Sequence, residues 1–240
     1  MNQQTIQEEQ WDLEIKPKAS LFDLNLKEVW KYRDLMLLFV RRDFVAQYKQ
    51  TILGPLWHII QPILTTLMFL VIFRKVAKFP TNDIEPILFY MSGLTIWNYF
   101  AECFTKTSNV FTANAGIFGK VYFPRIIMPL KVAVSNLIKF GIQFVFFLIV
   151  LFYYIYQGAP IHLNSLVLFL PLLLLVIAFI ALGTGMIISS LTVKYRDLNF
   201  VVTFGISLFM YITPIVYPTT LVLEKVDKKY HSLIYMNPLT

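Results

Sequence analysis

The chain has 240 residues, 57% hydrophobic and 15% charged, with a mean hydropathy of +0.63. Soluble domains carry roughly 25% charged residues, so this composition excludes an ordinary water-soluble fold and describes an integral membrane protein. The net charge of +7 does not point to a nucleic-acid partner, because the Lys and Arg residues gather before Leu56 and in short connections, without a groove-reading motif.

The first residues include Glu8, Glu9, Asp12 and Glu14 and lack an apolar core, so no signal peptide is read and the first span serves as insertion signal. Residues 1–34 form a polar N-terminal segment in which Trp11, Leu13 and Ile15 alternate with charged neighbours, as in a short strand or an interfacial tether. Ser20 is placed to cap a helix containing Phe22, Leu24, Leu26 and Trp30. Residues 35–53 are apolar on one side and carry Arg41, Arg42, Asp43, Gln47 and Lys49 on the other, the pattern of an amphipathic helix lying at a membrane interface. Gly54-Pro55 then breaks the chain, since Gly stops a helix and Pro suits the first turn of the next.

An all-α polytopic membrane domain is expected over 54–217, with about five transmembrane helices. The first, 56–73, contains Pro62, which is expected to kink it. The second, 87–104, carries Tyr90, Trp97, Tyr99 and Phe100 and ends near Glu102. Residues 105–125 read as a polar loop with Lys106, Lys120 and Arg125. The third span starts between 126 and 129 and reaches 156, longer than a simple crossing; Lys131, Ser135, Lys139 and Gln143 fall on one of its faces. The fourth, 166–191, contains the small residues Ala181, Gly183 and Gly185. The fifth, 200–217, precedes an extracytoplasmic segment, 218–240. With the N-terminus inside, the cytoplasmic segments hold the larger share of Lys and Arg.

No polar cluster suits catalysis. His58, His162 and His231 have no metal-ligand spacing, and no two acids are placed as a proton relay. The lone Cys103 excludes an internal disulfide. Gly116-Ile-Phe-Gly119-Lys120 fails as a phosphate loop, because two residues separate the glycines where four are needed and Val121 follows the lysine. Lys131 and Lys139 read either as a gate for an anionic substrate or, preferably, as snorkelling side chains near the start of their span. Ala181 and Gly185 allow close helix contact within one subunit or between two.

Five motifs carry a resemblance: Arg42-Asp43 with Tyr48, Leu53-Gly54, Trp57 and Pro62; Phe123-Pro124-Arg125 with Pro129; Arg196-Asp197; Thr213-Pro214 with Tyr217; and Asn237-Pro238. In this order the chain resembles the membrane subunit (permease) of type-2 ABC exporters of the O-antigen, capsule and teichoic-acid polysaccharide group. The resemblance implies a homodimer in a bacterial inner membrane, in contact with membrane lipid and exporting a lipid-linked polysaccharide. It implies no cofactor in this chain; a separate ATPase subunit binds ATP and Mg. Arg41, Arg42, Asp43 and Tyr48, together with Phe118, Lys120, Tyr122, Pro124 and Arg125, are then expected to couple to that ATPase. Tyr90, Trp97, Tyr211 and Tyr217 are expected to line the polymer's path. The family has a sixth span after the Asn-Pro motif, so the end at Thr240 is expected to be a truncation or a five-span form. An ABC permease for drugs or smaller lipids, and a polytopic enzyme of polysaccharide synthesis, are the alternative readings.

Overall fold

The computed structural model describes residues 26–49, 51–81, 84–159, 161 and 164–221. Trp11 and the rest of 1–25, His162, His231 and the Asn237-Pro238 motif lie outside the described residues. Nine α-helices are found among the described residues, in chain order α1 (Leu26–Lys31), α2 (Arg33–Tyr48), α3 (Trp57–Phe69), α4 (Pro86–Ser108), α5 (Val110–Ala113), α6 (Ala115–Phe118), α7 (Ile127–Tyr156), α8 (Leu170–Thr192) and α9 (Leu198–Ile212).

The expected break after α2 is present. The helix ends at Tyr48, earlier than the expected 53, because Lys49 is extended, and Gly54 then takes φ +49°, a left-handed conformation that an L side chain resists. Pro55 sits in a single 3₁₀ turn, Gly54–Leu56, that runs into α3. Pro62 lies inside α3, and the last two turns of this span, Leu70–Val76, widen into a π-helix ending near Arg74 and Lys75.

Three helical stretches are long and apolar enough to cross a bilayer: Gly54–Val76, Ile127–Tyr156 and Val167–Thr192. The polytopic all-α class holds, and the other two expected spans differ in character. The 23-residue α4 includes Glu102, Lys106 and several hydroxyl side chains, while α9 has 15 residues. The burial pattern explains why α4 is the less apolar: it is the central helix, packed by α3, α7, α8 and α9, and its wall is protein. Its core residues Trp97, Tyr99, Phe100 and Cys103 meet Phe140 of α7 and Ile177 and Ala181 of α8. By contrast α8 leaves Leu172, Leu173 and Phe179 open on its outer side, as a lipid-facing span does.

The contact between α4 and α8 is close because Gly185 faces Thr107. A β-carbon built on Gly185 would lie 2.8 Å from Thr107 Cβ and 3.3 Å from the Phe104 carbonyl oxygen. Thr192 Oγ1 then donates 2.8 Å to the Ser108 carbonyl, closing the same end of the pair. The Ala181–Gly185 stripe therefore serves packing within the subunit.

The stretch expected as a loop, 105–125, is largely helical. The central helix continues to Ser108, and α5 and α6 follow, because Val110, Phe111, Ile117 and Phe118 recur at helical spacing and turn inward. After α9 the chain does not continue as helix to 217. It turns at 213–217 and folds back on α4, where Ile215 touches the open face of Gly93 and Val216 is 1% exposed.

Candidate functional site

The two segments expected to couple to an ATPase form one surface. Phe39 of α2 is buried in a cluster with Val110, Phe123, Ile127, Met128 and Val132. Ring centroids step from Phe39 to Phe123 (5.8 Å), Phe123 to Phe118 (5.5 Å) and Phe118 to Phe111 (6.1 Å), an aromatic row running from α2 through α6 and α5. Both Arg42 and Lys131 place their cationic heads near the Phe39 ring, at 5.0 and 5.7 Å from its centre.

Asp43 ties this surface to the third span. Lys131 Nζ donates to Asp43 Oδ2 at 2.6 Å, and Arg42 donates to Asp43 Oδ1 through Nε and Nη2 at 3.0 and 2.8 Å. Burial pushes the Asp43 carboxyl up, but the hydrogen bonds and charges of Lys131 and Arg42 outweigh it and hold the group below its ordinary value. The Lys131 side chain is 5% exposed, so it does not snorkel to water; its partner comes from α2, 88 positions away in sequence.

The remaining expected coupling residues fall on either side of the aromatic row. Arg41, Lys120, Tyr122 and Arg125 are exposed, while Phe118 and Pro124 are half-buried beneath them. Pro124 shapes the turn into α7 by accepting the Ile127 N–H at 3.0 Å. Tyr48 is half-buried, with its ring edge-on to Phe44 and His58 at 4.6 and 5.3 Å, and joins the end of α2 to the start of α3. The two segments thus expose three guanidinium groups, one ammonium and a tyrosine, and Phe39, Phe123 and Asp43 hold them against each other and against α7.

Behind this surface lies an ionic cluster that sequence reasoning did not assemble. Glu102 Oε2 accepts from Lys106 at 2.8 Å and from Lys139 at 2.9 Å. Lys106 also donates to Asn136 Oδ1 at 3.1 Å, and Asn136 Nδ2 lies 3.5 Å from the Cys103 sulfur. The i,i+4 spacing of Glu102 and Lys106 was a visible signal for the first pair. The face shared by Lys131, Ser135, Lys139 and Gln143 does turn inward, toward α2, α3 and α4. No three His, Cys, Asp or Glu side chains converge as metal ligands among the described residues.

Of the four expected path residues, Tyr211 and Tyr217 meet and Tyr217 packs on the cluster that holds Tyr90, but the four do not share one exposed surface. Tyr90 is wholly buried against Phe69 and Phe89, so within this subunit it packs the core and offers no surface to a polymer. Trp97 is 6% exposed and lines a cavity of about 340 Å³ with Phe89, Ser92, Thr213 and Ile215. Tyr211 is exposed, and its carbonyl accepts the Tyr217 hydroxyl at 2.7 Å, which holds the folded-back turn after α9.

Comparison with known proteins agrees with this architecture. The ABC-2 type transporter family pattern matches residues 34–240. The chain is 32% identical over 208 residues to an O-antigen export system permease protein RfbA of Klebsiella pneumoniae, covering 86% of this chain and 76% of that protein. A second Klebsiella pneumoniae RfbA is 31% identical over the same shares, and the RfbA of Myxococcus xanthus is 26% identical over 89% of this chain and 79% of that protein. With the match beginning in α2 and running through every apolar helix described, the chain belongs to the ABC-2 type transporter family.

Proposed function

We propose that this chain is the membrane-spanning subunit of an ABC transporter that exports an O-antigen-type, lipid-linked polysaccharide. The observation that carries the reading is the likeness, over most of the chain, to three proteins named O-antigen export permeases. The same likeness favours polysaccharide over a drug or a smaller lipid as cargo. The chain itself transports; hydrolysis of ATP, with its Mg, falls to a partner subunit.

In this reading the exposed Arg41, Arg42, Lys120, Tyr122 and Arg125 receive the ATPase at the cytoplasmic face of a bacterial inner membrane, with the N-terminus on the same side. Its closing motion reaches the spans by two routes. One is the Phe39–Phe123 contact, which moves α2, α5 and α6 as one body. The other is the Lys131–Asp43 pair, which passes displacement of α2 to α7. Two copies of the subunit enclose the polymer between them, with Tyr211 and Tyr217 at the far end of α9.

The test is reconstitution of the full-length protein with its partner ATPase, in vesicles holding lipid-linked polysaccharide. ATP-dependent appearance of the polymer on the opposite face is the expected result. Hydrolysis without polymer movement, for every lipid-linked polysaccharide of the host, would overturn the cargo assignment.

A further inference from the structure

Two ammonium groups compete for one carboxylate oxygen behind the coupling surface. Lys106 and Lys139 both donate to Glu102 Oε2, and among the described residues Lys139 has no other side-chain acceptor, although its side chain is only 8% exposed. The nearest other acid, Asp43, is already engaged by Lys131 and Arg42. Cations therefore outnumber anions at this level of the bundle. Lys106 is 45% exposed and reaches water, whereas the buried Lys139 shares its one counter-ion with it, a costly arrangement beside a bilayer.

The same two lysines line a cavity of about 200 Å³ together with Asp43, Gln47 and Ser135. That space is several times the roughly 30 Å³ of one liquid water molecule. The Ser135 hydroxyl on its wall is buried and has no hydrogen-bond partner. A pair of ammonium heads plus an unused hydroxyl suits a compact, multiply charged oxyanion better than a planar carboxylate, which a guanidinium fork would favour.

We infer that this cavity binds the phosphate group of a membrane lipid, with Lys106 and Lys139 as its counter-charges and Ser135 Oγ as a third donor. Two sources supply that chemistry: the headgroup of an anionic phospholipid, and the phosphate linkage of a polyprenyl-borne substrate. The inference rests on the geometry of these residues and not on the cargo, so it fails or stands apart from the transport assay above.

The test is equilibrium binding to the purified full-length protein in neutral detergent. The probes are phosphatidylglycerol and farnesyl diphosphate, with diacylglycerol and farnesol as phosphate-free controls. Wild type is expected to prefer at least one phosphate-bearing probe to its control. Lys139→Gln leaves the Glu102–Lys106 pair intact and is expected to weaken that binding about tenfold. Lys106→Gln, which leaves Lys139 paired with Glu102, does the same. Glu102→Gln releases both ammonium groups and is expected to strengthen binding, a result that a purely structural ion cluster does not give. Lys75→Gln, on the π-helical end of the first span, is expected to change nothing. Sensitivity of farnesyl diphosphate alone identifies the substrate linkage, and sensitivity of phosphatidylglycerol alone identifies a resident lipid. Equal affinity of wild type for the phosphate-bearing probes and their controls, or unchanged affinity in both lysine variants, would overturn the inference.

Discussion

Lys131 reaches from the third span to Asp43 on α2, a 2.6 Å contact whose ammonium end is buried and whose carboxylate end is 36% exposed. Removing one member of a fully buried pair costs about 3–5 kcal/mol, and partial exposure of Asp43 reduces that to about 2 kcal/mol here. Asp43→Ala is therefore expected to lower stability by that amount and to uncouple hydrolysis from transport. Lys131→Met, which removes the orphaned charge, restores part of the stability in the double variant but none of the coupling. Thermal denaturation of the four proteins, read as a double-mutant cycle beside an ATPase assay, checks both expectations. Additive stability losses would show that the two residues do not act as a pair.

The same contact sets a pH dependence. The folded-state Asp43 carboxyl is held below its ordinary value of 3.8, so its contribution is fully present above that value and is lost as pH falls through the lower folded one. Stability of the detergent-solubilised protein should thus show no loss from this group between neutral pH and about 5, then a decline in stronger acid. Asp43→Asn should remove that acid-range component. An identical acid profile in Asp43→Asn would mean that other groups govern it.

Arg125 is exposed on the turn before α7 and makes no ion pair among the described residues. Its replacement by Ala is expected to shift stability by no more than about 0.5 kcal/mol, as for surface positions in general. Loss of ATPase capture and of coupled transport is expected all the same, and Arg42→Ala should add a modest destabilisation because Arg42 also holds Asp43. Pull-down of the ATPase with each variant separates the two effects. Full capture and transport in Arg125→Ala would remove this turn from the coupling surface.

Gly185 marks the closest approach of α8 to α4. Gly185→Ala places a methyl group 2.8 Å from Thr107 Cβ, so the helices must part. Overpacking of this kind costs about 1–3 kcal/mol. Thr107→Gly in the same chain should recover part of that loss, whereas Thr107→Ser, which keeps Cβ, should not. Melting temperatures of the single and double variants decide the matter, and an unchanged melting temperature for Gly185→Ala would show that the crossing yields without cost.

Local signals in the sequence were legible where one stretch of chain contains the whole cause. Gly54-Pro55 ends one helix and starts another by its own stereochemistry, and the apolar length of 127–156 is sufficient evidence of a span. The lysines of α7 were harder. Nothing near Lys131 or Lys139 in the sequence supplies an acid, so snorkelling was the economical reading; their partners, Asp43 and Glu102, arrive only when α2 and α4 fold alongside. Tyr90 misled for a related reason, since an aromatic in a span reads alike whether it faces a pore or, as here, Phe69 and Phe89. The helices within 105–125 were hidden by their polar residues, and only the burial of Val110 and Phe123 shows which side is covered.

Synthesis order gives the ionic cluster one more consequence. Ribosomes make Asp43 beside Arg42, and Glu102 just ahead of Lys106, before the lysines of α7, so each acid starts with one local cation and gains its second only when α7 arrives. When α7 enters, Lys131 and Lys139 close on them together, and α2 and α4 are fastened to the same late-arriving helix. A nascent chain that ends before residue 127 holds Asp43 without Lys131 and lacks α7, α8 and α9, three of the four helices that pack its central helix.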